Sequence, residues 1–274
     1  MAETPKTPEV MPGPVSLTPT AHAGVRIKSV GDANHIANNH FSNLYTPEFS
    51  KAGVDYPIIF VKDPATNLFF AAGMWGLEPG ENLFVEDGIW TGGYFPAAVR
   101  CYPFAIQPDP EDKERLFIGL YETASIVNKE EGNLIFDDEG KETEWMLSIK
   151  DFLVRVYQQQ DMTRNFVSML DELELLSPQA LSIKNEKTGK DHDISGFYIV
   201  DREKLQNLPE EKLLELRKSG ALEVIYYHLM SLESLDKLLR KKNIQPAPPE
   251  SVTSANDSVA DETPDQAESP TEES

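Results

Sequence analysis

The sequence predicts an α+β protein, on two observations. Apolar, β-prone runs separated by turn residues fill the first half, and apolar residues at helical spacing fill the second. Strands that cluster before helices favour α+β over an alternating α/β fold. The composition of the ends sets the limits of the folded part. Ten of the 20 prolines lie in residues 1–22 and 246–274, among Ser, Thr, Asp and Glu. Such stretches bury too little apolar surface to offset the entropy of ordering them. The expected organisation is a disordered Pro-rich tail over 1–22, a folded body over 23–243 and a disordered acidic tail over 244–274. Within the body, 23–141 reads as strand-rich and 142–243 as helix-rich.

In chain order, Val25, Ile27 and Val30 predict a short first strand, and Ala33 to Leu44 a short helix or ordered loop. Tyr56–Val61 and Leu68–Trp75 flank Asp63-Pro64-Ala65-Thr66-Asn67, which predicts a hairpin. Asn82–Val85 and Ile89–Trp90 flank Asp87-Gly88, a further turn. Tyr94–Phe104 and Leu116–Tyr121 read as strands joined by a polar loop over Asp109–Glu114. From Glu142 onward, Trp145, Ile149, Phe152, Leu153, Val156 and Tyr157 recur at helical spacing, as do Phe166, Met169, Leu170 and Leu173. They predict two helices with a boundary near Gln158–Asp161. Leu181–Ile183 and Gly196–Val200 flank Thr188-Gly189-Lys190, a second hairpin. Pro209-Glu210-Glu211 opens a helix that Ser219-Gly220 ends, because Pro and acids suit a first turn. Leu222, Ile225, Leu229, Leu232, Leu235 and Leu239 form the stripe of one final helix.

The chain carries a net charge of −21. Residues 246–274 hold eight acids and no base, residues 1–22 contribute −1, and the body keeps −12. So acidic a body repels phosphate backbones, and the short Arg240-Lys241-Lys242 cluster suits a helix C-terminus better than nucleic acid. The single cysteine, Cys101, excludes an intrachain disulfide and fits a reducing compartment. No basic stretch followed by an apolar one opens the chain, and the longest nearly apolar run, Leu68–Leu77, is too short to span a bilayer. The expectation is a soluble, cytoplasmic protein without membrane insertion, with export by a non-Sec route left open.

Motifs for chemistry are sparse. His35 and His40 stand five apart, which suits neither a helical pair nor one strand face, and no metal site is expected. Asp191-His192-Asp193 reads as a solvated turn, and His228, beside the final apolar stripe, as a hydrogen-bonded histidine before a base. Cys101 follows Arg100, yet in a β-prone stretch it reads as a small buried hydrophobe. There is no GxSxG elbow, GxGxxG or P-loop, and no cofactor is expected. The densest unexplained cluster is Trp75, Glu81, Asn82, Trp90, Tyr94 and Arg100 among five glycines. Aromatic faces with polar tips and a guanidinium fork can build a peptide- or carboxylate-binding surface; the alternative is a packed loop capped by Glu81 and Asn82.

Several segments together resemble the bacterial SapC family. They are Ile59-Phe60-Val61-Lys62-Asp63-Pro64, Gly76-Leu77-Glu78-Pro79-Gly80-Glu81-Asn82-Leu83-Phe84, Tyr94-Phe95-Pro96-Ala97 with Arg100 and Pro103-Phe104, Phe166 to Leu176, Gly196-Phe197-Tyr198-Ile199-Val200-Asp201, and Ser219-Gly220-Ala221-Leu222 through Tyr227-His228-Leu229. The resemblance covers about residues 24–242 and departs at Tyr121-Glu122, where the family carries an Asp-Glu pair. It implies association with bacterial surface-layer or outer-membrane protein systems and supplies no catalytic residues. The expected role is therefore a non-catalytic accessory or adaptor protein with a protein or peptide partner. The alternatives are an enzyme on a peptide or amino-acid-derived substrate, with Glu81, Arg100 or His228 in its pocket, and a structural surface-layer component.

Overall fold

The structure, a computed structural model, describes residues 13–28, 33–109, 116–184, 191–242 and 244. The strands are β1 (Val15–Ser16), β2 (Arg26–Ile27), β3 (Phe41–Asn43), β4 (Ile58–Lys62), β5 (Phe69–Met74), β6 (Val85–Glu86), β7 (Ile89–Trp90), β8 (Phe104–Pro108), β9 (Leu116–Leu120), β10 (Val127–Asn128), β11 (Asn133–Leu134), β12 (Leu176–Lys184) and β13 (Asp191–Val200). The α-helices are α1 (Phe49–Ala52), α2 (Ala97–Arg100), α3 (Glu144–Glu172), α4 (Arg202–Gln206), α5 (Glu210–Ser219), α6 (Ala221–Ser231) and α7 (Leu235–Lys241). The protein is α+β: most strands precede α3, and most helical residues follow from it.

The β4–β5 hairpin forms where its turn chemistry dictates. The Asp63 carboxylate accepts from the Ala65 N–H at 2.9 Å and the Thr66 hydroxyl at 2.8 Å, and Asn67 turns the chain at φ 59°. This hairpin is the centre of an antiparallel sheet ordered β12-β13-β4-β5-β3. Small sheets ordered β1-β9-β8 and β10-β2-β11 stand beside it, and β6–β7 is a separate hairpin.

The two halves share one core. Phe60, Ala71 and Trp75 from the first half cluster with Val167, Leu170, Ile225, Leu229 and Leu238 from the second. A second cluster joins Ile27, Phe104, Leu120 and Ile135 to Met146 and Leu153. Helix α3 serves both, since its 29 residues extend about 43 Å at 1.5 Å per residue. The expected boundary at Gln158–Asp161 does not exist. That turn is polar but holds no Pro or Gly, and Gln sustains a helix well, so the polar turn crosses between the clusters unbroken. The helix starts where the Thr143 hydroxyl accepts from the Met146 N–H.

Three further expectations are corrected. Tyr94–Phe104 is not a strand: Pro96 lacks an N–H and, at φ −61°, opens the short helix α2, and strand pairing begins only at Phe104, after Pro103. The final helix is two. Ser231 and Ser234 turn their hydroxyls onto backbone groups, and a 3₁₀ turn over Leu232–Ser234 separates α6 from α7. Residues 13–22, expected in the tail, lie on the body instead. Val15 and Ser16 pair with Leu120 and Gly119, and His22 is buried with Nε2 3.2 Å from the Glu122 carboxylate. Residues 1–12 and 245–274, Val30 and the turn over 185–190 lie outside the described residues, as does 110–114 of the polar loop.

One junction binds the helices to the sheet. Strands β4 and β13 pair at Val61–Phe197 and Phe60–Tyr198, a register that next sets Ile58 against Val200. Side chains of α6 intervene there. The Val200 N–H donates to His228 Nε2 at 3.0 Å, and His228 Nδ1–H donates to the Ile58 carbonyl at 2.9 Å. The Ile58 N–H donates to Ser231 Oγ at 2.9 Å, and that hydroxyl donates to the His228 carbonyl at 2.6 Å. The imidazole thus splices the two strands, and doing so requires the neutral ring with its proton on Nδ1. Burial pushes His228 down to about 3, with Arg202 adding and the Ile58 bond opposing.

His228→Phe keeps an aromatic ring but leaves a buried donor and a buried acceptor unpaired, and is expected to lower unfolding free energy by about 2–5 kcal/mol. A depressed histidine pKa contributes full stability above its unfolded value near 6.5 and loses it as pH falls towards the folded one. Wild-type stability should therefore lose up to about 1.4 kcal/mol per pH unit from this residue below pH 6.5. Urea unfolding between pH 7 and 5 checks both, and the variant should show the shallower slope.

Candidate functional site

The residues singled out in the sequence are dispersed over several tasks. Trp75 is fully buried, its ring centroid 5.0 Å from that of Trp90, and Tyr56, Phe84 and Phe95 complete an aromatic cluster. Glu81 and Asn82 hold the loop over residues 76–84. Glu81 Oε2 accepts from the Leu77 N–H at 3.1 Å, and Oε1 takes Lys242 from the end of α7. Asn82 donates to the Ile36 carbonyl and accepts from the Phe84 N–H, each at 2.9 Å. The loop closes so tightly that a Cβ on Gly76 would lie 2.3 Å from the Glu81 carbonyl oxygen. His228 is sealed in the sheet splice.

Tyr94 and Arg100 lead to a residue that sequence reading did not single out. Glu48 is buried at 3% exposure. Its Oε1 accepts from the Tyr94 hydroxyl at 2.8 Å and the Ala97 N–H at 2.7 Å, and its Oε2 from the Tyr45 N–H at 3.0 Å. Three donors compensate the burial of one carboxylate. The Tyr94 N–H is held by Asp55 at 2.7 Å. The available signal was Thr46-Pro47-Glu48 ahead of Phe49, a pattern for a helix start with an acid reaching back to the N-terminal backbone. Burial pushes the Tyr94 hydroxyl up to about 12, with the Glu48 bond adding. Burial likewise pushes the Cys101 thiol up to about 12, with Glu48 adding and Arg100 opposing. Arg100 is exposed on α2, its guanidinium 5.1 Å from the Phe152 ring centroid. This cluster pins α2 to α1 and holds no activated nucleophile.

One concave region among several lies elsewhere, on the face of the large sheet turned from α3. Gly196 at φ 84° and a register shift between Gln179 and Ala180 break the β12–β13 hairpin in its middle. Beyond that break its arm lies over the sheet, where Leu181 and Ile194 meet Ile59, Met74, Leu232 and Leu235 around a cavity of about 110 Å³. Next to it is an open cleft of about 250 Å³. Its floor is Phe41, Ile59, Val61, Met74 and Phe197; one wall is Asp193–Gly196 and the other Gly76, Leu77 and Pro79, with His40 at the rim. Burial lowers the His40 pKa, which favours a neutral imidazole beside the Phe41 ring. Of the Asp191-His192-Asp193 run, Asp193 is exposed on the rim, and the side chains of the other two lie outside the described ones. Among the described residues, no group of three or more His, Cys, Asp or Glu is placed to hold a metal ion. No helix of the described residues is long and apolar enough to cross a membrane.

With its thiol held protonated, Cys101 should react with a disulfide reagent at pH 8 on the order of 10²-fold or more slowly than a free cysteine. Denaturant should abolish the difference, as measured by thiol release with time.

Three segments on which the family resemblance rests meet at the cleft: Ile59–Val61 in the floor, Gly76–Pro79 in one wall and Gly196–Phe197 between them. No curated protein and no solved structure matches the chain. The family model named SapC matches residues 17–238. Its first matched residue, Leu17, directly follows β1 and donates its N–H to the Ile118 carbonyl of β9, so the match takes in the large sheet and, apart from β1 itself, both small ones. The chain belongs to the SapC family.

Proposed function

We propose that this protein is a non-catalytic accessory or adaptor, associated with bacterial surface-layer or outer-membrane protein systems, that binds a segment of a partner protein in the cleft beside the β12–β13 arm. The observation that carries this reading is the convergence there of three family segments around an apolar floor with a polar rim. The cleft's size favours a polypeptide anchor. About 250 Å³ falls below the roughly 300–1,000 Å³ typical of small-molecule sites, yet it accommodates apolar side chains. Two features count against the enzyme alternative. None of Glu81, Arg100 and His228 lines the cleft, and Glu81 and His228 are committed to internal hydrogen bonds. A partner met in water and a cytoplasmic location belong to the same proposal, with which the lack of an apolar spanning helix among the described residues is consistent.

The test is affinity purification of the tagged full-length protein from its native cells, with mass spectrometry of what co-elutes. Ser195→Trp, which fills the cleft from an exposed position, should lose a reproducible envelope or secretion partner while Arg100→Ala retains it. A partner held equally by the Ser195→Trp protein would remove the cleft from the account. Failure to recover any protein partner would remove the adaptor reading.

A further inference from the structure

We infer that the cleft takes an extended, cationic segment of another protein, with two apolar side chains at alternate positions and a Lys or Arg beside them. This rests on the proposal that the cleft is the binding site, and it adds the chemistry of the occupant.

Extension follows from the strand that makes one wall. β13 pairs with β4 only at Phe197 and Tyr198, and ahead of Gly196, over Asp193–Ser195, its backbone runs along the cleft without a β4 partner among the described residues. A chain lying against Asp193–Ser195 finds main-chain groups to pair with, while every second side chain turns to the floor. Two hollows await those side chains. The cleft and the cavity of about 110 Å³ share Ile59, Met74, Ile194 and Phe197, so they are neighbours on one apolar floor.

The rim gives the sign of the charge. Asp193 is exposed and forms no ion pair with the described residues. Glu78, next in sequence to the wall residues Leu77 and Pro79 though not itself lining the cleft, is 54% exposed and 3.7 Å from the Lys242 ammonium. The folded body adds a net −12 to the field around the cleft. That field attracts a cationic segment and repels an acidic one. The chain's own residues 246–274, with eight acids and no base, are thereby disfavoured as the occupant.

Two fluorescent peptide libraries test this against the full-length protein by anisotropy. Both follow the pattern Ser-Φ-Ser-Φ-X-Ser, with Φ drawn from Leu, Ile, Val and Phe, and X is Lys in one and Glu in the other. The expected result is about tenfold tighter binding of the Lys library at low salt, narrowing as salt rises. Asp193→Lys, at an exposed position, should shrink or reverse the preference, and Ser195→Trp should abolish binding. Equal binding of both libraries, unchanged in Asp193→Lys but lost in Ser195→Trp, would overturn the cationic occupant and leave the cleft reading standing. Binding that persists in Ser195→Trp, or no binding of either library, would overturn both.

Discussion

A neutral imidazole stands where two strands would otherwise pair, and the rest of the molecule is arranged around it. β4 and β13 come from opposite halves of the chain, and each gives up a ladder bond at Ile58 and Val200 so that His228 can occupy the gap. Ser231, one turn later on α6, takes the remaining Ile58 N–H. With burial complete, water cannot compensate a missing partner, so the four groups form together or not at all. The junction ties a strand-rich half and a helix-rich half into one core.

The cleft follows from that junction. Since β13 leaves β4 at Phe197, its outer part is available to bend at Gly196 and lie across the sheet. Since α6 is fixed by His228 and Ser231, the 3₁₀ turn and α7 must run over the sheet's edge, bringing Leu232 and Leu235 under the arm. The same course carries Lys242 to Glu81, which steadies the wall formed by Gly76, Leu77 and Pro79. Both walls are thus set from the splice, one by the strand it releases and the other by the helix it holds.

How much of this could be read in the sequence depends on how local each signal is. The β4–β5 hairpin was legible because Asp63-Pro64-Ala65-Thr66-Asn67 encodes its own turn. The breaks at Pro209 and Gly220 were legible for the same reason. Helix α3 was misread as two because the polar turn at Gln158–Asp161 faces solvent between two core clusters that no local pattern reveals. In the final stripe, the serines that interrupt it act on Ile58 and Gly53, more than 170 residues away. His228 was legible as a hydrogen-bonded histidine, but its partners were not. Trp75, Trp90 and Asn82 read either as a binding surface or as packing, and the structure buries Trp75 and Asn82 and packs the partly buried Trp90 against the core. Glu48 was missed because a lone acid gives no sign of burial until Tyr94 and Ala97 fold over it. The cleft was invisible because residues 40, 76–79 and 193–197 meet only in the folded sheet.

Native-state hydrogen exchange at the Val200 and Ile58 amides tests the central claim most directly. If the splice joins the halves into one cooperative unit, these two amides exchange as slowly as the β4–β5 ladder amides and share their denaturant dependence, because only global unfolding frees them. Exchange of Val200 and Ile58 on the order of 10² times faster than the ladder, with little denaturant dependence, would contradict it. That pattern would mean α6 lifts from an intact sheet, and the imidazole would then be an ornament on the fold, not its joint.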